Sequence, residues 1–149
     1  TDASLCQNLI FCSGKIYFDL VEERERLKNN NIYIVRLEQL YPFPYEPLKL
    51  ELEKFNNKEI IWCQEEPKNM GAWGFVSSRI ESVMKSIETQ NSKLYFIGRR
   101  ASAVPATGSY DRHLSNQKNI IRLALEAKID EIISMWEGVS LRQYKLPIE

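Results

Sequence analysis

Two periodicities alternate along the chain. Leu9-Ile10-Phe11-Cys12 is a short unbroken apolar run, closed by Ser13-Gly14. Ile16, Tyr17, Leu20, Val21 and Leu27 then recur at helical spacing, with Glu22 and Arg26 one turn apart and placed to pair. Asn29-Asn30-Asn31 favours a turn and leads into a second apolar run, Ile32 to Val35. Tyr41-Pro42-Phe43-Pro44 suits neither a helix interior nor a central strand, because proline lacks the backbone donor. Pro47 fits a first helical turn, and Tyr45, Leu48, Leu52 and Phe55 share one helical stripe. Glu59 to Cys63 reads as a third strand, followed by a polar loop from Gln64 to Gly71. Val76, Ile80, Val83, Met84 and Ile87 mark the clearest amphipathic helix. Leu94 to Ile97 is the fourth strand, and residues 98–112 read as a long loop of small and charged residues. A last helix is expected from the N-cap Ser115, with Leu125, Ile129, Ile132, Ile133 and Trp136 on one face and Gly138 as its stop.

Strands that alternate with helices imply a mostly parallel sheet covered on both faces. The nearly continuous apolar strands fit that burial. The length, 149 residues, is that of one domain, and 44% apolar with 27% charged residues is ordinary for a globular chain. Twenty basic and twenty acidic side chains cancel, which argues against a nucleic-acid binder driven by bulk charge. No apolar run approaches the roughly 20 residues of a membrane helix, so no membrane partner is expected. The first residues lack a signal-peptide pattern and an initiator Met, so a processed or truncated chain is expected. Cys6, Cys12 and Cys63 are odd in number, and Cys12 and Cys63 read as small buried hydrophobes of a reducing compartment. There is no C-x-x-C pair and His113 is the only histidine, so no metal ligand set is assigned.

Ligands of open α/β sheets bind at the carboxyl ends of the strands. Ser13-Gly14-Lys15 opens a helix there, although the full phosphate-loop spacing is absent and a plain helix start with a solvated lysine explains it as well. Arg99 and Arg100 follow the fourth strand among small residues, where an arginine fork can grip a phosphate. Successive residues point to opposite faces, so one arginine is expected in the strand-end crevice and the other toward solvent. Lys15, Arg99 and Arg100 are therefore the candidate anion site; the bland alternative is an ion pair with Glu65 or Glu66. The polar segment before Trp73 and Phe75 reads as an interface, with Gln64, Glu65, Glu66, Lys68, Asn69 and Trp73 as its candidate residues. In the isolated chain that segment is expected to be mobile or self-associating. Trp62, Trp73 and Trp136 read as core or interface anchors rather than a stacking platform. Ser109 and His113 lie one turn apart, a common spacing, and no nucleophile–base constellation emerges.

Four strings carry a resemblance. LIFCSGKIYFDL (Leu9–Leu20), RLEQLYPFP (Arg36–Pro44), WCQEEPKNMGAWGFV (Trp62–Val76) and GRRASAVPATG (Gly98–Gly108) resemble, in order and spacing, the C-terminal domain of the E1 component of 2-oxoglutarate dehydrogenase. The resemblance covers about residues 9–125. It implies an α/β fold, a three-layer α/β/α domain with a mostly parallel sheet like the transketolase C-terminal domain. Residues 1–127 would form that domain, and 128–149 a helical extension and irregular tail. Many relatives carry histidine where Pro67 stands, so a proton role at that position cannot operate here.

The resemblance further implies a parent enzyme that uses thiamine diphosphate and magnesium. It decarboxylates 2-oxoglutarate in the tricarboxylic acid cycle and passes a succinyl group to the lipoyl arm of E2. The chain has Asn29-Asn30 and Asn56-Asn57 but no Gly-Asp-Gly, so no catalytic, cofactor-binding or metal residue is carried over. The expected role is structural and regulatory: packing on the remaining domains of the E1 chain, supporting the E1 homodimer within the E2 succinyltransferase complex, and lining a nucleotide or acyl-CoA site. The expected location is cytoplasmic in a bacterium and the mitochondrial matrix in a eukaryote. Two rival readings are a self-contained small-ligand binding domain and a subunit of a split thiamine-dependent oxoacid oxidoreductase.

Overall fold

A computed structural model of the chain describes residues 6–55, 58–88, 92–100 and 110–140, the last four by backbone alone. The elements run β1 (Asn8–Cys12), α1 (Ile16–Leu27), β2 (Ile32–Arg36), α2 (Tyr45–Glu53), β3 (Glu59–Pro67), α3 (Trp73–Lys85), β4 (Leu94–Arg99), α4 (Tyr110–Glu126) and α5 (Ile129–Ser140). The four strands form one sheet in the order β2-β1-β3-β4, and every pairing is parallel. Parallel strands need crossovers, and α1, α2 and α3 supply them.

The strand period sorts the core into two halves. Leu9, Phe11, Ile60, Trp62 and Phe96 face one side, where Leu48 and Leu52 of α2 and Val76 and Ile80 of α3 cover them. Ile10, Cys12, Ile61, Cys63 and Ile97 face the other, under Ile16 and Leu20 of α1 and Ile120 and Leu123 of α4. The result is the expected three-layer α/β domain with helices on both faces. Each such Leu or Ile side chain taken from water stabilises the fold by about 1.5–3 kcal/mol. On the helix stripes Leu48, Leu52, Phe55, Val76, Ile80, Val83, Met84 and Ile87 are all buried. Tyr45, at the start of its stripe, stays 47% exposed.

Several boundaries differ from the sequence reading. β3 does not stop at Cys63 but runs on to Pro67 through a register shift, and the Lys68 amide then donates to the Arg99 carbonyl at 3.0 Å. Arg26 pairs with Glu23 rather than Glu22, because its fork takes both oxygens of that carboxylate, at 2.6 and 2.8 Å. The last helix is two helices. α4 begins at Tyr110, so Ser115 lies inside it, and Gly138 lies inside α5 rather than ending it. The break at Ala127-Lys128 lets α5 turn back onto β4; the Lys128 carbonyl accepts the Glu131 and Ile132 amides, and Arg122 meets Glu131 at 2.9 Å across the corner. Of the expected loop 98–112, Gly98 and Arg99 belong to β4 and residues 110–112 to α4; residues 101–109 lie outside the described ones.

Among the described residues no helix is long and apolar enough to cross a membrane.

Candidate functional site

A parallel sheet puts all its strand carboxyl ends on one edge, and the candidate cations lie there. The chain leaves β1 through Gly14, whose φ of 75° is in the left-handed region that favours glycine. This turn delivers Lys15 to the start of α1. Its Nζ meets Glu65 Oε1 at 2.5 Å, and that hydrogen bond holds the Lys15 ammonium above its ordinary range. From the neighbouring strand, Arg99 Nε donates to the Glu65 backbone carbonyl at 3.0 Å. Lys15, Glu65, Glu66, Arg99 and His113 line a crevice of 200 Å³ that α4 closes. Gln117 of α4 ties that helix to α1 by donating to Asp19 at 2.8 Å.

Two of the three candidate cations, Lys15 and Arg99, thus share one crevice. Arg100 does not line it and is exposed. An anion entering here must displace the Glu65 carboxylate from Lys15. The space is below the roughly 300 Å³ at which small-molecule pockets begin, so it suits a phosphate-sized group. His113 also reaches this crevice, and its position on α4 could be seen only once that helix was known to start at Tyr110.

The expected interface segment divides. Gln64 is no part of an exposed loop: it is 3% exposed and, among the described residues, is the one polar residue buried with the core. Its Oε1 accepts from the Trp62 indole at 2.9 Å and from the Trp73 amide at 3.0 Å. Its Nε2 lies 2.8 to 3.3 Å from the carbonyls of Met70, Pro67 and Glu66. One side-chain amide therefore ties together the turn from β3 to α3. The turn closes at Gly71, with φ of 65° and a would-be Cβ only 3.0 Å from Glu66. Glu66 and Asn69 are exposed, and Lys68 is half-buried with its Nζ 4.6 Å from the Trp136 ring centroid. Trp73 is half-buried against Phe96, with ring centroids 5.0 Å apart. Trp62 and Gln64, two apart on a strand, share a face, and that spacing was the available signal for their bond.

The thiols are inert by position. Cys6, Cys12 and Cys63 are all buried, and none is in a disulfide. Burial pushes the Cys12 thiol up to about 12 against the lowering influence of Arg36, and burial likewise raises Cys63. Neither is a nucleophile near neutral pH. Among the described residues no group of three or more His, Cys, Asp or Glu side chains stands placed for a metal ion.

The same chain is similar to known proteins over most of its length. The family described as 2-oxoglutarate dehydrogenase C-terminal matches residues 1–125. The 2-oxoglutarate dehydrogenase E1 components of Brucella anthropi, Brucella ovis and Brucella canis are each 44% identical to it over 119 residues. That alignment takes in 80% of this chain but only 12% of each relative, so the chain spans a small part of their length. The strand-end crevice, the turn held by Gln64 and all four strands lie within the matched residues, and the chain belongs to the 2-oxoglutarate dehydrogenase C-terminal family.

Proposed function

We propose that this chain works as the C-terminal domain of a 2-oxoglutarate dehydrogenase E1 component and catalyses nothing alone. The observation that carries this reading is the match over residues 1–125, set against the 12% of each E1 relative that it represents. In the whole enzyme, thiamine diphosphate with magnesium would supply the decarboxylation of 2-oxoglutarate, and the succinyl group would pass to the lipoyl arm of E2. The described residues do not fit that cofactor. They offer no cluster of metal-ligating side chains, and the strand-end crevice is small and crossed by the Lys15–Glu65 pair. The cofactor is therefore assigned to the parts of E1 outside this chain.

The domain's own contribution is to pack on the rest of E1, to support its homodimer within the E2 complex, and to offer the crevice at Lys15 and Arg99 to a regulatory nucleotide or acyl-CoA phosphate. Replacing the corresponding C-terminal segment of a Brucella E1 with residues 1–125 should give an enzyme that still decarboxylates 2-oxoglutarate. The purified chain, given 2-oxoglutarate, thiamine diphosphate and magnesium, should release no carbon dioxide. Turnover by the chain alone, or a dead but folded chimaera, would overturn the reading. In an active chimaera, titration with AMP and acetyl-CoA tests the crevice: Arg99→Ala should weaken a phosphate ligand by about 1.5–3 kcal/mol, the scale of a charge-assisted bond.

A further inference from the structure

Among the described residues β4 is the last strand of the sheet, and an edge strand presents unpaired amides with which another chain can pair. The register tells which groups these are. The Ile60 amide donates to the Lys93 carbonyl at 3.2 Å, so Lys93 addresses β3. Backbone groups alternate in direction along a strand. Tyr95 and Ile97 therefore also address β3, and Leu94 and Phe96 turn their amides and carbonyls outward.

Trp136 of α5 occupies that outward side. Its indole Nε1 donates to the Phe96 carbonyl at 2.9 Å. Its ring stands edge-on to the Phe96 ring, 5.2 Å away at 66°. Lys68 Nζ lies over its face. Trp136 packs against both halves of the core, the one beneath α2 and α3 and the one beneath α1 and α4. Only a side chain at the rim of the sheet reaches both faces at once. Ile132, one turn earlier, is 1% exposed and anchors the helix in the second half. α5 thus wraps the edge of the sheet. The strand beneath has little of what usually blunts an edge: β4 holds no proline, and its one charge is Arg99 at the last position, beyond Leu94 and Phe96.

We propose that α5 is an edge strap, in which Trp136 holds shut a strand-pairing surface on β4 whose occupant, once the strap lifts, is the β4 strand of a second copy of this chain. Two identical edges pair antiparallel about a two-fold axis, so the same outward groups of Leu94 and Phe96 serve both copies. Aromatic and β-branched residues favour such a ladder. The formal charge of zero leaves no net repulsion between copies.

The test uses the 149-residue chain with Trp136→Ala, with Trp136→Phe, and with Trp136→Ala combined with Leu94→Pro. Proline is tolerated at the first residue of an edge strand whose N–H faces outward. Self-association is followed by sedimentation, and the strap by hydrogen exchange of the Phe96 amide, with the Leu123 amide of α4 as a control of the fold. Trp136→Ala should speed Phe96 exchange at least tenfold, leave Leu123 unchanged, and tighten self-association at least tenfold. Leu94→Pro should abolish the gain in association. Trp136→Phe keeps the ring but not the indole donor, and should show the same changes at smaller size. Unaltered Phe96 exchange and association in Trp136→Ala overturns the proposal, as does a gain that survives Leu94→Pro. If Trp136→Ala also exposes Leu123, the fold itself has opened and Trp136→Phe decides: unaltered Phe96 exchange and association there overturns the strap.

Discussion

Gln64 and Glu65 are neighbours on β3 and do opposite work. Gln64 points into the core, where its amide meets an indole, a backbone N–H and three carbonyls. Glu65 points into the strand-end crevice and holds one flexible lysine whose side chain is 68% exposed. The alternation of a strand separates the two by a single residue. The comparison teaches that polarity at a strand end serves two different ends: buried, it sets the path of the backbone; within reach of water, it holds an ion pair that leaves the backbone as it is.

The sharpest way to break the contrast is Gln64→Ala. It strands the Trp62 indole and the Trp73 amide, and an unsatisfied buried group costs about 1–3 kcal/mol. We expect a loss of about 2–6 kcal/mol in urea unfolding for the pair, with Met70 and Trp73 amides exchanging faster. A loss below 1 kcal/mol would mean that water replaces the amide at no cost.

Alkali acts next on the same strand. Cys63 sits beside Gln64 and opposite Cys12, and both thiols are raised. An unfolded chain ionises them from their ordinary value of 9.0, whereas folded Cys12 holds its proton to about 12. The native state binds more protons in that window, so stability must fall as pH rises from 9.0 toward 12. The slope is about 1.4 kcal/mol per pH unit for each thiol that stays protonated only when folded. Replacing both thiols by alanine should flatten that slope. At pH 8 a thiol reagent should label neither residue until the chain unfolds.

A smaller effect is expected at Gly98. A Cβ there would lie 2.5 Å from the Phe96 ring and 3.1 Å from the Gln64 carbonyl. Gly98→Ala should cost about 1–3 kcal/mol by overpacking. Thermal unfolding measures it.

The least effect belongs to the crevice. Lys15→Ala or Glu65→Ala should change stability by about 0–1 kcal/mol, because the pair is exposed. Since Lys15 is raised above 10.5, its small contribution is present at neutral pH and vanishes above that value. A chemical-shift titration of the Lys15 Nζ should show a higher value in the wild type than in Glu65→Ala, with Asp19 and Glu66 still raising it in the variant.

The fold was legible because the strands are buried on both sides and therefore read as unbroken apolar runs, and the helices show their stripes. The ends of elements were less so. β3 continues past its apolar part into Gln64, Glu65 and Glu66, whose polarity reads as loop; the buried bonds of Gln64 replace the hydrophobic signal. α4 starts among Tyr110, Asp111, Arg112 and His113, which show no apolar face because this first turn is exposed. The crevice was half legible. Position at strand ends gave Lys15 and Arg99, but their shared partner Glu65 and the nearby His113 required the spatial order β2-β1-β3-β4. That Trp136 reaches back to Phe96 could not be read along the chain, since the turn at Ala127-Lys128 decides it.

The central place of β1 has a kinetic consequence. Its residue Asn8 pairs with Ile32 on one side and Glu59 on the other, and among the described strands every pairing is parallel, with no hairpin. During synthesis the first strand of this sheet to leave the ribosome is therefore the one that must be flanked on both sides. It stays an open apolar ribbon until β2 and then β3 have been made. Non-local pairing of this kind makes folding slow and the unfinished chain prone to aggregate. The vulnerable interval ends only when Glu59 to Pro67 has emerged, well before β4 and α5 are made.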